Sequence, residues 1–131
     1  MENKEISYEI IDFSGKTNVQ FRTSVDPGSY IPTHWHRAIE IIYMQEGSLD
    51  VIVESESFTI YKGDCILING NILHSTKCTA PNTAILLQIP LNLMEKYIPN
   101  LGQLIFLWDY RTEDPVKKTK LMMLKTTLEQ L

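Results

Sequence analysis

Turn signals interrupt the first two-thirds of this chain every few residues, and that spacing restricts its fold more than any other feature. Asp26-Pro27-Gly28, Glu46-Gly47, Lys62-Gly63-Asp64 and Asn69-Gly70-Asn71 are such sites. Proline presets φ, while glycine and asparagine tolerate positive φ. Short runs with strand character lie between them. Val19 to Val25 alternates, with Val19, Phe21, Thr23 and Val25 on one face and Gln20, Arg22 and Ser24 on the other. Ile39 to Met44 is rich in β-branched residues. Leu49 to Val53 and Phe58 to Tyr61 flank Glu54-Ser55-Glu56-Ser57 and predict a hairpin. Cys65 to Ile68 and Ala84 to Ile89 follow, and Ser7 to Asp12 is a weaker pattern at the start. Many short strands with turns between them predict a sandwich or barrel and exclude βαβ units.

The pattern changes after Pro90. Leu91 to Tyr97 predicts a short helix stopped by Pro99, and Leu101 to Tyr110 suits helix or strand. Asp114-Pro115 is a helix start, with aspartate at the N-cap and proline at N1. No glycine or proline follows as far as Leu131. Leu121, Leu124, Leu128 and Leu131 form one helical stripe, which Met122 and Met123 widen. Two readings of that stripe stand side by side: packing on the chain's own barrel, or an interface with a partner.

The 131 residues fit one domain. With 12 basic and 16 acidic residues, the net charge of −4 argues against a free-standing nucleic-acid binder. Apolar runs such as Ala84 to Leu87 and Leu104 to Trp108 fall far short of a membrane span. No secretory signal is visible at the N-terminus, so the cytoplasm is the expected compartment, and Cys65 and Cys78 are expected to be free thiols. Lys117, Lys118 and Lys120 read as the wet face of the last helix.

The chemistry concentrates between Gly28 and His74. His34 and His36 share a strand face, and a regular strand adds Ala38 and Glu40 to it. Two imidazoles and a carboxylate offer three points for a first-row divalent metal, and His74 would complete the set. These are the chain's three histidines. The bland alternative is a polar pocket in which the histidines bond to Glu40 and water. Trp35 and Arg37 would point to the opposite face, with Trp35 as packing.

The spacing Gly28, five residues, His34-x-His36, three residues, Glu40, six residues, Gly47 resembles the first cupin motif at every position. The second motif is matched in part: Gly63 and His74 stand in place, while Asn69, Asn71 and Cys78 replace its proline, second glycine and asparagine. The resemblance implies a mainly β cupin barrel (a double-stranded β-helix or jelly roll) followed by C-terminal helix. It divides the chain into an arm and first strand over 1–18, a barrel over 19–90 and a helical extension over 91–131.

Three longer runs resemble the N-terminal sensing domain of AraC-type transcription regulators. They are His34-Trp35-His36-Arg37-Ala38-Ile39-Glu40-Ile41-Ile42-Tyr43, Gly63-Asp64-Cys65-Ile66-Leu67-Ile68-Asn69 and Asn71-Ile72-Leu73-His74-Ser75. That resemblance implies an effector-binding barrel, a homodimer through C-terminal helices, and DNA contact by helix-turn-helix units for which these 131 residues have no room. The expectation is therefore the sensing part of a longer regulator. It would bind a small molecule such as a sugar, a divalent metal (zinc, nickel, manganese or iron), or both, with His34, His36, Glu40 and His74 lining the pocket. The competing expectation is a small metal-dependent cupin enzyme of dioxygenase or isomerase type.

Overall fold

The computed structural model describes residues 7–9 and 19–131. Nine strands are present among them: β1 (Ser7–Tyr8), β2 (Gln20–Asp26), β3 (Tyr30–Trp35), β4 (Ala38–Glu46), β5 (Ser48–Val53), β6 (Glu56–Tyr61), β7 (Cys65–Ile68), β8 (His74–Lys77) and β9 (Asn82–Pro90). They form two sheets, ordered β1-β3-β8-β5-β6 and β2-β9-β4-β7. A short helix α1 (Leu91–Met94), a 3-10 turn (Leu101–Gln103) and a long helix α2 (Pro115–Gln130) complete the chain. Residues 10–12 of the expected first strand lie outside the described residues, as does most of the expected arm.

One face of each sheet points inward. Ile42 and Met44 of β4, Ile66 and Ile68 of β7 and Ala84 of β9 meet Val51 of β5 and Ile60 of β6 in a closed core. The other face of the four-stranded sheet is also covered. Ile41, Cys65 and Ile85 pack there against Leu128 of α2, joined by Leu124, Trp108 and Phe21. Cover on both sides explains why Ile39 to Ile42 reads as a run and not an alternation. It also answers the question of the leucine stripe for part of its length. Leu128 is buried on the chain's own sheet and Leu121 and Leu124 are half-buried, whereas Leu131 is exposed.

α2 starts as its sequence predicts. The Asp114 carboxylate accepts from the Val116 and Lys117 N–H groups at 2.9 and 3.1 Å, and Pro115 occupies the first turn. The hairpin differs from the expectation. β6 begins at Glu56, so the turn is only Glu54-Ser55, with Glu54 at φ 55. α1 is shorter than Leu91 to Tyr97, and the 104–109 stretch is neither helix nor strand. Asn69 clamps that stretch: its amide donates to the Phe106 carbonyl and its side-chain oxygen accepts from the Phe106 N–H, both at 2.9 Å.

Gly47 carries the chain from one sheet to the other. Its φ is +78, and a Cβ there would lie 2.7 Å from the Pro81 carbonyl oxygen. Gly47→Ala is therefore expected to cost about 2–4 kcal/mol in urea denaturation, from left-handed strain plus the collision. A loss below 0.5 kcal/mol would contradict this.

Candidate metal and ligand site in the barrel

The four residues singled out by the sequence come together, but not on one regular strand. β3 ends at Trp35 and β4 begins at Ala38 in the other sheet, with the bend at His36-Arg37 between them. The expected continuous strand is therefore corrected. A bulge supplies what a regular strand could not. β3 pairs Ile31 with Thr76 and His34 with His74, so three steps on one strand match two on the other. The extra residue falls beside Pro32, where a bulge tolerates the missing N–H. It turns His34 inward, opposite His74.

His34, His36 and His74 offer ligand atoms that all lie within 4.8 Å of one another, and all three are buried. Their ring centroids are 4.2–5.6 Å apart. Each fixes its ring in the same way. Nδ1 donates to a backbone carbonyl two residues off: His34 to Pro32 at 2.8 Å, His36 to Ala38 at 3.1 Å and His74 to Ile72 at 2.8 Å. A carbonyl only accepts, so each neutral ring carries its proton on Nδ1 and presents a bare Nε2 to the barrel interior.

Glu40 projects from β4 beside them. Its Oε2 is 3.2 Å from His36 Nε2 and 3.3 Å from His74 Nε2. The second approach is proximity without a directed bond, since His74 Nε2 is buried with no hydrogen-bond partner. Burial pushes the Glu40 pKa up. A protonated His36 donates to it from Nε2, and with His74 alongside this outweighs burial and brings the pKa down to about 2. Burial pushes His36 down, and Glu40, helped by Glu9 and the bond to the Ala38 carbonyl, more than reverses that, raising it.

For the metal-free chain the signs follow. Glu40 is depressed from 4.5, so its contribution is full above about pH 4.5 and is lost as pH falls towards 2. His36 is raised from 6.5, so its contribution is present below 6.5 and is lost as pH rises through its folded pKa. Glu40→Gln should remove the acid-side dependence, worth up to ~3 kcal/mol. Chemical denaturation of both proteins between pH 5 and 2.5, with chelator present, checks this. Parallel slopes would refute it.

A cavity of about 230 Å³ opens onto the cluster. His34, Glu40 and His74 line it with Glu9, Thr76 and Gln88, while His36 sits deepest, at 1% exposure. Glu9 escaped the sequence reading. Its Oε2 is 3.2 Å from His34 Nε2, brought there by the parallel pairing of β1 with β3. No local signal connects residues 25 apart. Trp35 and Arg37 stay out of the site: Trp35 packs on Tyr8, with centroids 4.4 Å apart, and Arg37 is exposed.

The departures in the second motif have structural explanations and leave His74 in place. Asn71 takes φ 61, which asparagine tolerates almost as glycine does. The Cys78 thiol donates to the Ala80 carbonyl at 2.9 Å, and its backbone exchanges hydrogen bonds with Ser29 at 2.7 and 3.1 Å. Cys65 and Cys78 are free and buried, and burial pushes the Cys65 thiol up to about 11, so it is no thiolate near neutrality.

The donor set fits a divalent metal. Neutral imidazoles would leave bare nitrogens facing a carboxylate, acceptor against acceptor. Protonating all three would crowd three positive rings together. A proton on His36 answers Glu40 but leaves the buried Nε2 of His74 without a partner, and one divalent cation among the rings would take that lone pair as well.

The site and the two-sheet architecture together define the class. The chain belongs to the cupin domain family, whose model matches residues 21–90. Solved structures of the same fold include an RmlC-like cupin with a double-stranded β-helix fold from Methanocaldococcus jannaschii. It is 15% identical, with a TM-score of 0.52 over 60% of this chain and 75% of that one. A cupin-superfamily protein from Desulfitobacterium hafniense matches at 8% identity and TM-score 0.52, over 55% of this chain and 67% of its own. A cupin-2 domain protein from Shewanella frigidimarina matches at 17% and 0.51, over 58% and 74%. No curated protein matches the chain. The cupin family contains both enzymes and non-enzymes. Among the described residues no helix is long and apolar enough to cross a membrane.

Proposed function

We propose that this chain is the effector-sensing and dimerisation domain of an AraC-type transcription regulator, cytoplasmic and without catalysis of its own. The observation that carries the reading is the cavity on the histidine cluster. Its lining takes His34 and Glu40 from one segment that resembles those regulators, His34 to Tyr43, and His74 from another, Asn71 to Ser75. At about 230 Å³ it suits a small metabolite such as a sugar, a divalent ion, or both. In this reading residues 1–18 are the arm, 19–90 the barrel and 91–131 the helical extension. An occupant acts by its differential affinity for two arrangements of arm or helices. Met122, Met123 and Leu131 are 65–69% exposed and offer apolar surface for a homodimer through α2. DNA contact belongs to helix-turn-helix units outside these residues.

Thermal shift against a panel of sugars and divalent ions tests the reading, followed by sedimentation with each hit. A stabilising compound recovered chemically unchanged, and a dimer, are expected, with no tight binding to promoter DNA at physiological salt. A strict monomer at high concentration, or tight sequence-specific binding by this chain alone, would count against it.

A second reading is favoured by the unpartnered Nε2 of His74: a metal-dependent enzyme of dioxygenase or isomerase type. His34, His36, His74 and Glu40 would hold zinc, nickel, manganese or iron, which would supply Lewis-acid or oxygen-binding chemistry. Metal-dependent consumption of the stabilising compound would select this reading over the sensor.

A further inference from the structure

A carboxylate outside the expected ligand set stands on the open side of the histidine cluster. Glu9 Oε2 lies 3.2 Å from His34 Nε2, the ring nitrogen left bare by the bond from Nδ1 to Pro32. Two bare acceptors at that distance repel, and either a proton on the His34 ring or a cation shared by both relieves them. Glu9 lines the same cavity as Glu40 and His74, and its side chain is 47% exposed, free to adjust.

The segment carrying Glu9 is lightly held. Among the described residues β1 pairs with β3 at two positions, Ser7 with His34 and Tyr8 with Trp35. The Glu9 N–H donates to the Trp35 carbonyl at 2.9 Å, and the Tyr8 ring rests on Trp35. Isolated pairings of this size are marginal in water. A further contact of the segment, from Glu9 to His34, ends on a candidate ligand atom. Charge agrees: two carboxylates with three neutral imidazoles balance one divalent cation.

We propose that Glu9 supplies a carboxylate to the metal held by His34, His36 and His74, so that metal binding fastens β1 onto β3. The proposal rests on the metal reading of the site. Linkage makes the effect reciprocal: whatever detaches the segment weakens the metal by the same factor.

The test uses the full chain with Zn²⁺ and Co²⁺ as probes. Affinity is read by competition with a chromophoric chelator, coordination by the Co²⁺ visible spectrum, and docking by hydrogen exchange at the Glu9 amide. Glu9→Gln is expected to lower affinity at least tenfold, to change the spectrum, and to abolish metal-induced protection of that amide. Tyr8→Ala keeps the carboxylate but loosens the segment, and should lower affinity by a smaller factor. A wild-type chain that binds neither ion overturns the metal reading and this proposal together. Binding by wild type with Glu9→Gln indistinguishable in affinity, spectrum and exchange overturns this proposal alone.

Discussion

His36→Ala and His74→Ala are each expected to weaken divalent-metal binding at least a hundredfold. Both side chains are nearly solvent-free, at 1% and 2% exposure, and each contributes one of three nitrogens that lie within 4.8 Å of one another. Two remaining imidazoles and Glu40 would leave three ligands with a gap in place of the lost nitrogen, a set that holds an ion less tightly than four. Wild-type protein at a metal concentration 100 times Kd should gain about 2.7 kcal/mol, seen as a rise in Tm, and the variants at the same concentration less than about 0.5 kcal/mol. Elemental analysis of protein purified without chelator or nickel affinity resin gives the direct measure; a wild-type metal content near zero would defeat the expectation. Affinity should also depend on pH. The raised pKa of His36 means that a metal must displace its proton, so binding should weaken by about tenfold per unit as pH falls below that pKa.

Leu128→Ala is expected to cost about 3 kcal/mol and to free α2 from the barrel. Leu128 is 1% exposed against Ile41, Cys65 and Ile85, and it is the one fully buried side chain of α2. Burial of this kind costs ~2–5 kcal/mol to remove. A supporting bond lies beside it, from the Tyr43 hydroxyl to the Glu129 carboxylate at 2.7 Å. Hydrogen exchange over residues 121–130 should rise sharply in the variant. Met123→Ala, at a side chain 65% exposed, should change stability by less than ~0.5 kcal/mol. Similar losses from both would show that α2 is not anchored where the structure places it.

Much of this arrangement was legible in the residues. β7 has the predicted bounds, Cys65–Ile68, and the Asp114 cap behaves as its position implies. Local chemistry decides both: turns on either side of one, a side-chain oxygen over free N–H groups in the other. Three features were illegible, for a shared reason. The bulge before His34 changes side-chain parity without changing composition. The break at His36-Arg37 moves the chain between sheets inside a run that reads as continuous. Glu9 meets His34 only through a parallel pairing between distant segments. Periodicity assumes regular strands, and this site is built where regularity fails. The cluster could still be anticipated from the histidine spacing, because the bulge and the bend together return both rings to the interior.

The two covered faces of the four-stranded sheet have one more consequence. Glu40 and Ile41 are neighbours on β4, yet one reaches the histidines and the other supports Leu128. The floor of the inner chamber is thus the seat of the outer helix, with a single thickness of backbone between them. Whatever moves β4 from inside moves the surface on which α2 rests, and a message from chamber to helix need travel no farther than one peptide unit.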